Sequence, residues 1–520
     1  MSSMHWLDRT IATLAPGAGL RRARQRQALD VLARAYEGAK QGRRTEGWIA
    51  AGSGANAEIA PALSRLRDRS RDLVRNNPYA AKAVEALVSN MIGTGLMPRA
   101  RCADPEIARQ ADQLWLAFSA RSDADGLTDF AGLQALCVRS LVESGEVLVR
   151  LRDRRLSDGL QVPLQLQVIE ADHLDGAQNG PQRGELPGGA HLAQGVEFGP
   201  LGQRKAYWLF PRHPGEAGGA MRSVRVEARN VLHVFERLRP GQVRGVPWFA
   251  PVIVKLRDLD EYDEAELVRK KIEACFAAFV TGAEDEQTLG RAHVQANGQR
   301  VEGFEPGMIE YLEPGQDVTF ASPSAAGGYS EYMRMQLHAI AAGVGLTYEL
   351  LTGDLSQVNY SSIRAGLIEF RRRMEALQWQ LLVPGLCQPV WERFVLAAQA
   401  AGKLPPDVEI GVEWTAPRFE AVDPLKDIQA DVLAVRAGVM TLKEAIARQG
   451  YEPSAVLAEF AQTNAEIDGL GLIFDSDPRR STKTGQDRGA MPAPAANSNE
   501  TDRSQKDGGE KDEEDDDETN

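Results

Sequence analysis

The sequence predicts an α+β chain: helical blocks flank a β-rich module, and two periodicities carry that reading. Between Gly145 and Gly245 apolar residues recur at every second position, as in Val147, Val149 and Leu151, then Leu164, Leu166 and Val168. On either side they recur every three or four residues, most extensively over Pro247–Thr281 and Ile363–Leu381. At 520 residues the chain is long enough for several domains, and 43% apolar with 26% charged residues is the composition of a soluble globular protein.

The elements follow in order. Residues 1–48 hold nine Arg/Lys against four acids, with Arg21, Arg22, Arg24 and Arg26 ahead of a helix over Arg24–Ala39. Two readings stay open for it, a basic arm or a solvated helix face. Gly, Ala and Ser dominate Ala50–Ala57, which reads as a linker. Pro61–Gly95 reads as a helical pair broken at Asn76, Asn77 and Pro78, and Pro105–Phe118 as a further helix. Asp129 caps a helix running to Glu143.

The alternating strands come next, and then the longest helical pattern. Val252, Leu256, Leu259, Tyr262, Ala265, Val268, Ile272, Cys275 and Phe279 form one stripe over Pro247–Thr281. The other faces are acidic from Asp258 to Glu266 and basic at Arg269, Lys270 and Lys271. A rod of that length spans about 45 Å. It suits packing against neighbouring copies around a water-filled centre, or equally a solvent-exposed helix in a bundle. Gly282–Ala326 loses helix character. Met308, Glu310 and Leu312 alternate before a Pro314-Gly315 turn, and Val318 and Phe320 after it, as in a small hairpin. Tyr329–Ala342 returns to helix, closed by Gly343 and Gly345.

The stretch Glu349–Leu381 organises the rest. Thr352–Tyr360 is polar and turn-forming: Gly353 frees the backbone, and Asp354, Ser356 and Asn359 can bond neighbouring main-chain groups. Behind it Ile363, Leu367, Phe370, Met374, Leu377 and Leu381 form the seam of a long helix, with Arg364, Arg371 and Arg372 off the seam. A polar loop on an anchored helix suits contact with something that moves. Pro384 reads as a break before a helix over Cys387–Ala401. Asp423-Pro424 opens a helix ending at Gly438, Thr441–Glu444 is a capping box for another closed by Gly450, and Pro453–Ile467 is a third. A small helical cap is preferred over a DNA-reading helix–turn–helix, because Lys426, Arg436, Lys443 and Arg448 are its only bases. Asp475 onward is disordered by composition, and Asn499–Asn520 holds eleven acids against three bases.

Several functions are disfavoured. Four scattered cysteines argue for a reducing compartment and against zinc or a disulfide framework. No apolar run is long enough to span a bilayer, and Trp6, Asp8 and Arg9 interrupt what an export signal would need. His173, His191, His213 and His233 fall at separations that pair none of them with a carboxylate on a common face, so no metal site is expected. Phosphate-loop, HExxH, GxSxG and dinucleotide motifs are missing, and no nucleophile stands beside a base. No cofactor and no catalytic residue are expected. The net charge of −13 sits largely in the tail, which leaves a mildly acidic body that nucleic acid can pass without sticking.

Five stretches carry a resemblance: GRRTEGW (Gly42–Trp48), RDRSRDLVRNNPYAAKAVEALVSNMIGTGLMP (Arg67–Pro98), VLHVFERLRPGQVRGVPWFAPVI (Val231–Ile253), FEPGMIEYLEPGQDVTF (Phe304–Phe320) and GLTYELLTGDLSQVNYSSIRAGLIEFRR (Gly345–Arg372). In that order they resemble the lambda-type portal proteins of tailed bacteriophages.

The resemblance implies a portal-type fold. It assigns residues 1–60 to a basic helical arm and linker, 61–246 to a wing of helices and a β-rich module, and 247–281 to a first stem helix. A small α/β clip over 282–326, a second stem helix over 327–345 and a tunnel loop over 346–361 follow. A long wing helix with its connection covers 362–422, a helical crown 423–470 and a disordered acidic tail 471–520. It implies a closed, dodecameric ring of this chain at one capsid vertex of the virion, assembled in the bacterial cytoplasm. Double-stranded DNA would pass through the ring at packaging and ejection. Implied partners are the terminase large subunit, head-completion and connector proteins, and the major capsid and scaffold proteins, with no membrane. The tunnel loop would bring Asp354, Gln357, Asn359, Tyr360 and Ser361 to DNA, and Arg269, Lys270 or Lys271 would form a basic ring in the channel. The alternatives are a head-morphogenesis enzyme such as a nuclease, or a head–tail adaptor.

Overall fold

Asn77 sets the first helical pair. α1 (Ala55–Asn76) stops where Asn77 turns extended, and the Asn77 side chain then accepts from the Ala80 N–H at 2.9 Å to begin α2 (Pro78–Ile92). Pro78 costs nothing there, since the first turn needs no N–H partner. The linker expected over Ala50–Ala57 is therefore shorter, because Ala55–Ala57 already form the first turn of α1. In this computed structural model the described residues are 52–474, except 181–190, 217–221, 275–277, 282–290, 295–299, 304–316, 321–327, 420–423 and 452, with isolated positions outside that span. The helix expected at Arg24–Ala39 and the Met308–Leu312 alternation lie outside them. The chain divides into two units, Met1–Val422 and Asp423–Asn520.

In the first unit β1 (Met97–Arg101) and α3 (Pro105–Ser119) lead to α4 (Phe130–Ser144), whose cap Asp129 accepts from the Gly132 N–H at 2.9 Å. β2 (Glu146–Asp153) is the centre of an antiparallel sheet, flanked by β3 (Leu164–Glu170) and β8 (Val231–Phe235). Strand alternation lets β2 feed two cores. Val147, Val149 and Leu151 pack into the main helical core. Leu148 points the other way, among Leu174, Val196, Phe198 and Tyr207. That second core lies on a meander of β4 (His191–Ala193), β5 (Val196–Phe198), β6 (Arg204–Leu209) and β7 (Val224–Glu227).

The long helical pattern is corrected at both ends. α5 runs over Ile253–Ala274, and Ala278–Thr281 is a strand, β9, paired antiparallel with β12 (Asp317–Phe320). Cys275 and Phe279 extend the stripe by number, but a short apolar run does not distinguish helix from strand. β10 (Arg291–Val294) and β11 (Arg300–Gly303) form a separate antiparallel pair. α6 (Tyr329–Val344) returns beside α5 and ends at Gly345, whose φ of 77° is left-handed. Gly343 does not end the helix; a Cβ there would stand 2.3 Å from Val252 Cγ1, so this glycine admits a close approach.

α7 (Tyr348–Thr352) and α8 (Tyr360–Leu377) bracket the polar loop. Pro384 does not break the chain: Gln378–Cys387 continues as a wider π-helix into α9 (Gln388–Ala400). Proline lacks an N–H and its ring crowds the carbonyl four residues back, and the wider turn relieves both. Gln378, fully buried in that turn, donates to the Met91 carbonyl at 2.7 Å and fastens it to α2. β13 (Gly411–Thr415) then pairs with β1, with Met97 opposite Thr415 and Arg101 opposite Gly411. Aromatic rings close the same join. Trp115 of α3 lies 5.3 Å from Trp391 and 5.1 Å from Phe394 of α9, and meets Trp414 of β13 edge-on. Such pairs add about 0.5–1.5 kcal/mol each beyond their burial. Residues 97–144 and 388–415 therefore share one core, although 243 residues lie between them.

The second unit holds α10 (Pro424–Arg436), α11 (Leu442–Arg448) and α12 (Pro453–Gly469). Thr441 accepts from the Glu444 N–H at 3.1 Å, one half of the expected capping box. No helix among the described residues is long and apolar enough to cross a membrane.

Candidate functional site

The loop is built by its own short polar side chains. Thr347 caps α7 by accepting from the Leu350 N–H, Leu351 is buried, and Gly353 leaves α7 with a φ of 74°. Asp354 accepts from the Ser356 N–H at 2.9 Å and from the Tyr348 hydroxyl at 3.2 Å. The Ser356 side chain and N–H hold the Asp354 carboxyl below the usual carboxylate range. Asn359 is the cap of α8, its side chain accepting from the Ser362 N–H at 2.9 Å. Between these anchors Leu355, Ser356 and Gln357 are exposed.

Tyr348 ties the loop to α6. Its ring stacks on His338 at 4.3 Å, and the Arg334 guanidinium lies 5.7 Å from its centroid. α6 is tied in turn to α5: Tyr262 stacks on Tyr329 at 5.9 Å and meets Tyr332 at 4.7 Å, and Lys255 donates to Gln336 at 2.6 Å. The Tyr329 hydroxyl donates to Asp263, whose carboxylate pushes the phenol up to about 12. A chain of contacts thus runs from α5 through α6 to the loop. Sequence reasoning placed Tyr262 in the apolar stripe but missed its pairing with Tyr329 and Tyr332; the spacing of those two on one helix face was the available signal.

Burial changes along α5. Val252, just ahead of it, and its Leu256 and Leu259 are buried, whereas Leu267 is 53% and Val268 48% exposed. Asp258, Glu261 and Glu264 are exposed, so the middle of the helix is acidic and its last turns basic. Of the three expected bases, Arg269 is half-buried and ion-paired with Glu266, while Lys270 and Lys271 are exposed. Consecutive helical residues are about 100° apart, so the three cannot share one face.

The loop candidates separate by what they already bond. Asp354 and Asn359 use carboxylate and amide oxygens to shape the loop, while Gln357 projects outward between them. Tyr360 and Ser361 form the first turn of α8, and their side chains lie outside the described residues.

The histidine expectation needs correcting, because the fold brings together what the spacing kept apart. His233 Nε2–H donates to the Glu146 carboxylate at 2.8 Å, and His213 lies 3.0 Å from Glu170. Glu146 is fully buried at the start of β2. Arg244 at 2.6 Å, Arg67 at 2.9 Å and the Gly245 N–H at 2.8 Å also reach it. Burial alone would raise its pKa; Arg244, His233 and Arg67 outweigh that and hold it well below the carboxylate range. Burial pushes His233 down to about 4, so it is neutral at pH 7. Glu170, Asp172 and His213 lie close enough together to share a cation. Arg71 already meets Asp172 at 2.7 Å and Glu170 at 3.5 Å, and Arg67 meets Asp172 at 3.2 Å. Two guanidiniums neutralise these carboxylates, so the group is an ion-pair cluster that joins α1 to the end of β3.

Residues 41–378 match the model of the phage portal protein, lambda family. The chain is 28% identical to a probable portal protein of Halomonas phage phiHAP-1, over 85% of this chain and 88% of that protein. It is 24% identical to portal protein B of Escherichia phage lambda, over 84% of this chain and 91% of the other. Among solved structures it is similar to a chain in the neck of an empty gene transfer agent particle, with 18% identity, 79% and 98% coverage and a TM-score of 0.42. With a family match across most of its length, the chain belongs to the lambda family of phage portal proteins.

Proposed function

We propose that this chain is one subunit of a closed ring, dodecameric in the family's manner, through whose axis double-stranded DNA is packaged and ejected. The observation that carries the ring is α5: a helix anchored by buried Leu256 and Leu259 at one end and bearing exposed Leu267 and Val268 toward the other. Apolar residues on a charged helix call for a neighbour, and the same helix on the next copy supplies a head-to-tail contact that closes by rotation. The charge distribution supports passage rather than grip. Few exposed bases beside Asp258, Glu261 and Glu264 leave phosphate contacts sparse and salt-sensitive.

In this reading Gln357 touches the duplex, with Asn359, Tyr360 and Ser361 beside it at the start of α8, and Asp354 keeps the loop in shape. Lys270 and Lys271 supply the basic ring, Arg269 being paired with Glu266. Residues 282–326, between the stem helices, form the clip that meets the terminase large subunit and later the head-completion and connector proteins. The major capsid and scaffold proteins surround the ring at the vertex, and assembly takes place in the host cytoplasm. The chain acts as a channel and not as an enzyme. Particles carrying Gln357→Ala or Lys271→Ala test the assignment by the DNA they package and eject: a defect in either supports it, and wild-type behaviour in both removes it. An assay of the purified chain for ATP hydrolysis and DNA cleavage separates the channel from the nuclease reading.

A further inference from the structure

The helices of the second unit have no core of their own. None of the residues in α10, α11 or α12 is buried, and Met440 in the connecting turn is the one buried apolar side chain among the described residues of the unit. The three helices instead surround an open groove of about 780 Å³, walled by Ile428, Val432, Leu442, Ile446, Val456 and Phe460. A groove of that size and chemistry, left to water, forfeits the burial that would hold three short helices together.

The same unit carries an apolar projection elsewhere. After α12 the chain turns back on itself: the Gly471 N–H donates to the Asp468 carbonyl at 3.2 Å and the Leu472 N–H to that of Ile467 at 3.1 Å. Arg479 then reaches back to Asp468 at 3.1 Å and to Asp477 at 2.8 Å. The bend so fixed holds Leu470, Leu472, Ile473 and Phe474 outward, with Ile473 72% exposed. None of these four lines the groove of its own unit.

We propose that the apolar bend Leu470–Phe474 of one copy of this chain seats in the groove between α10, α11 and α12 of the neighbouring copy. The inference rests on the ring reading above. A projection and a complementary groove at different places on one unit make a heterologous contact, in which each copy gives one surface and receives the other. The acidic tail is a poor occupant: Asn499–Asn520 has eleven acids against three bases, and the groove is mainly apolar, with Asp431 and Glu459 against the one base Arg436 in its lining. Each seated bend would supply the apolar burial that the three helices lack.

The test mixes two variants of the full chain, one with Ile473→Cys and one with Phe460→Cys, and adds a short bismaleimide to the assembled protein. A link between positions 473 and 460 can then form only across copies, and peptide mass spectrometry maps it. The expected result is that link, together with self-association weakened at least about tenfold in Ile473→Asp. The melting temperature of the Ile473→Asp monomer should stay unchanged, since the side chain is exposed within one copy. Rings that form at the wild-type level in Ile473→Asp, with no 473–460 link, overturn this contact and leave the ring reading intact. A link from position 460 to another protein in mature particles overturns it too. Failure of the wild-type chain to form rings contradicts both.

Discussion

The Tyr348 hydroxyl donates to the Asp354 carboxylate at 3.2 Å, and it is the hydrogen bond through which α6 holds the polar loop. On one side Tyr348 is clasped by His338 and Arg334; on the other, Asp354 fixes Ser356. Tyr348 thus touches both α6 and the residue that orders the loop.

Tyr348→Phe should loosen the loop and spare the body. Amide hydrogen exchange is expected to accelerate at Ser356–Asn359 and to stay unchanged in α2 and α4. Exchange in the loop equal to wild type would show that the hydroxyl contributes nothing to its order.

The close approach at Gly343 gives a prediction with its own control. Gly343→Ala gains helix propensity of about 1 kcal/mol, yet its methyl would meet Val252 Cγ1, an overpacking that costs about 1–3 kcal/mol. The net expectation is a lower melting temperature, recovered in part by adding Val252→Ala. If Gly343→Ala alone stabilises the chain, α6 and Val252 do not meet there.

Glu146 binds α1, β2, β8 and the segment after β8 through one carboxylate. Glu146→Gln leaves Arg244 buried without its counter-charge and Arg67 with Asp172 alone, which should cost about 3–5 kcal/mol. Differential scanning fluorimetry should show a clear drop in melting temperature, and a wild-type value would refute the network's structural role.

The same network makes the fold acid-labile. His233 has a folded pKa near 4, below its usual 6.5, so the unfolded chain binds the extra proton between those values. Stability is full above about pH 6.5 and falls as pH drops toward 4. The lowered pKa of Glu146 extends the loss below its usual 4.5. His233 alone should account for about 3 kcal/mol of this change. His233→Gln should flatten the dependence of melting temperature on pH between 7 and 4; an unaltered slope would place the titration elsewhere.

Local chemistry was legible in the sequence, and remote pairing was not. Asp129 caps the helix its position promised, Asn77 falls at the expected break, and the alternation through Val147, Val149 and Leu151 is a strand feeding a core. Asp354 and Asn359 bond the main chain of their own loop, as short polar side chains do in turns. The reading failed where a short pattern fits two structures, as at Ala278–Thr281, or where one residue's usual effect is absorbed, as Pro384 is by a π-turn. His233 and Glu146 stand 87 residues apart, and no periodicity points from one to the other. Their meeting depends on the β2–β8 register, where Glu146 lies opposite Phe235.

The central claim is that many copies of this chain close around an open axis. Single-particle electron microscopy of the purified full-length protein tests it most directly. Rings with a central opening wide enough for a DNA duplex, and the α5 helices of neighbouring copies in contact at Leu267 and Val268, are the result this account requires. Monomers at every concentration, or assemblies whose centre is filled by protein, would contradict it.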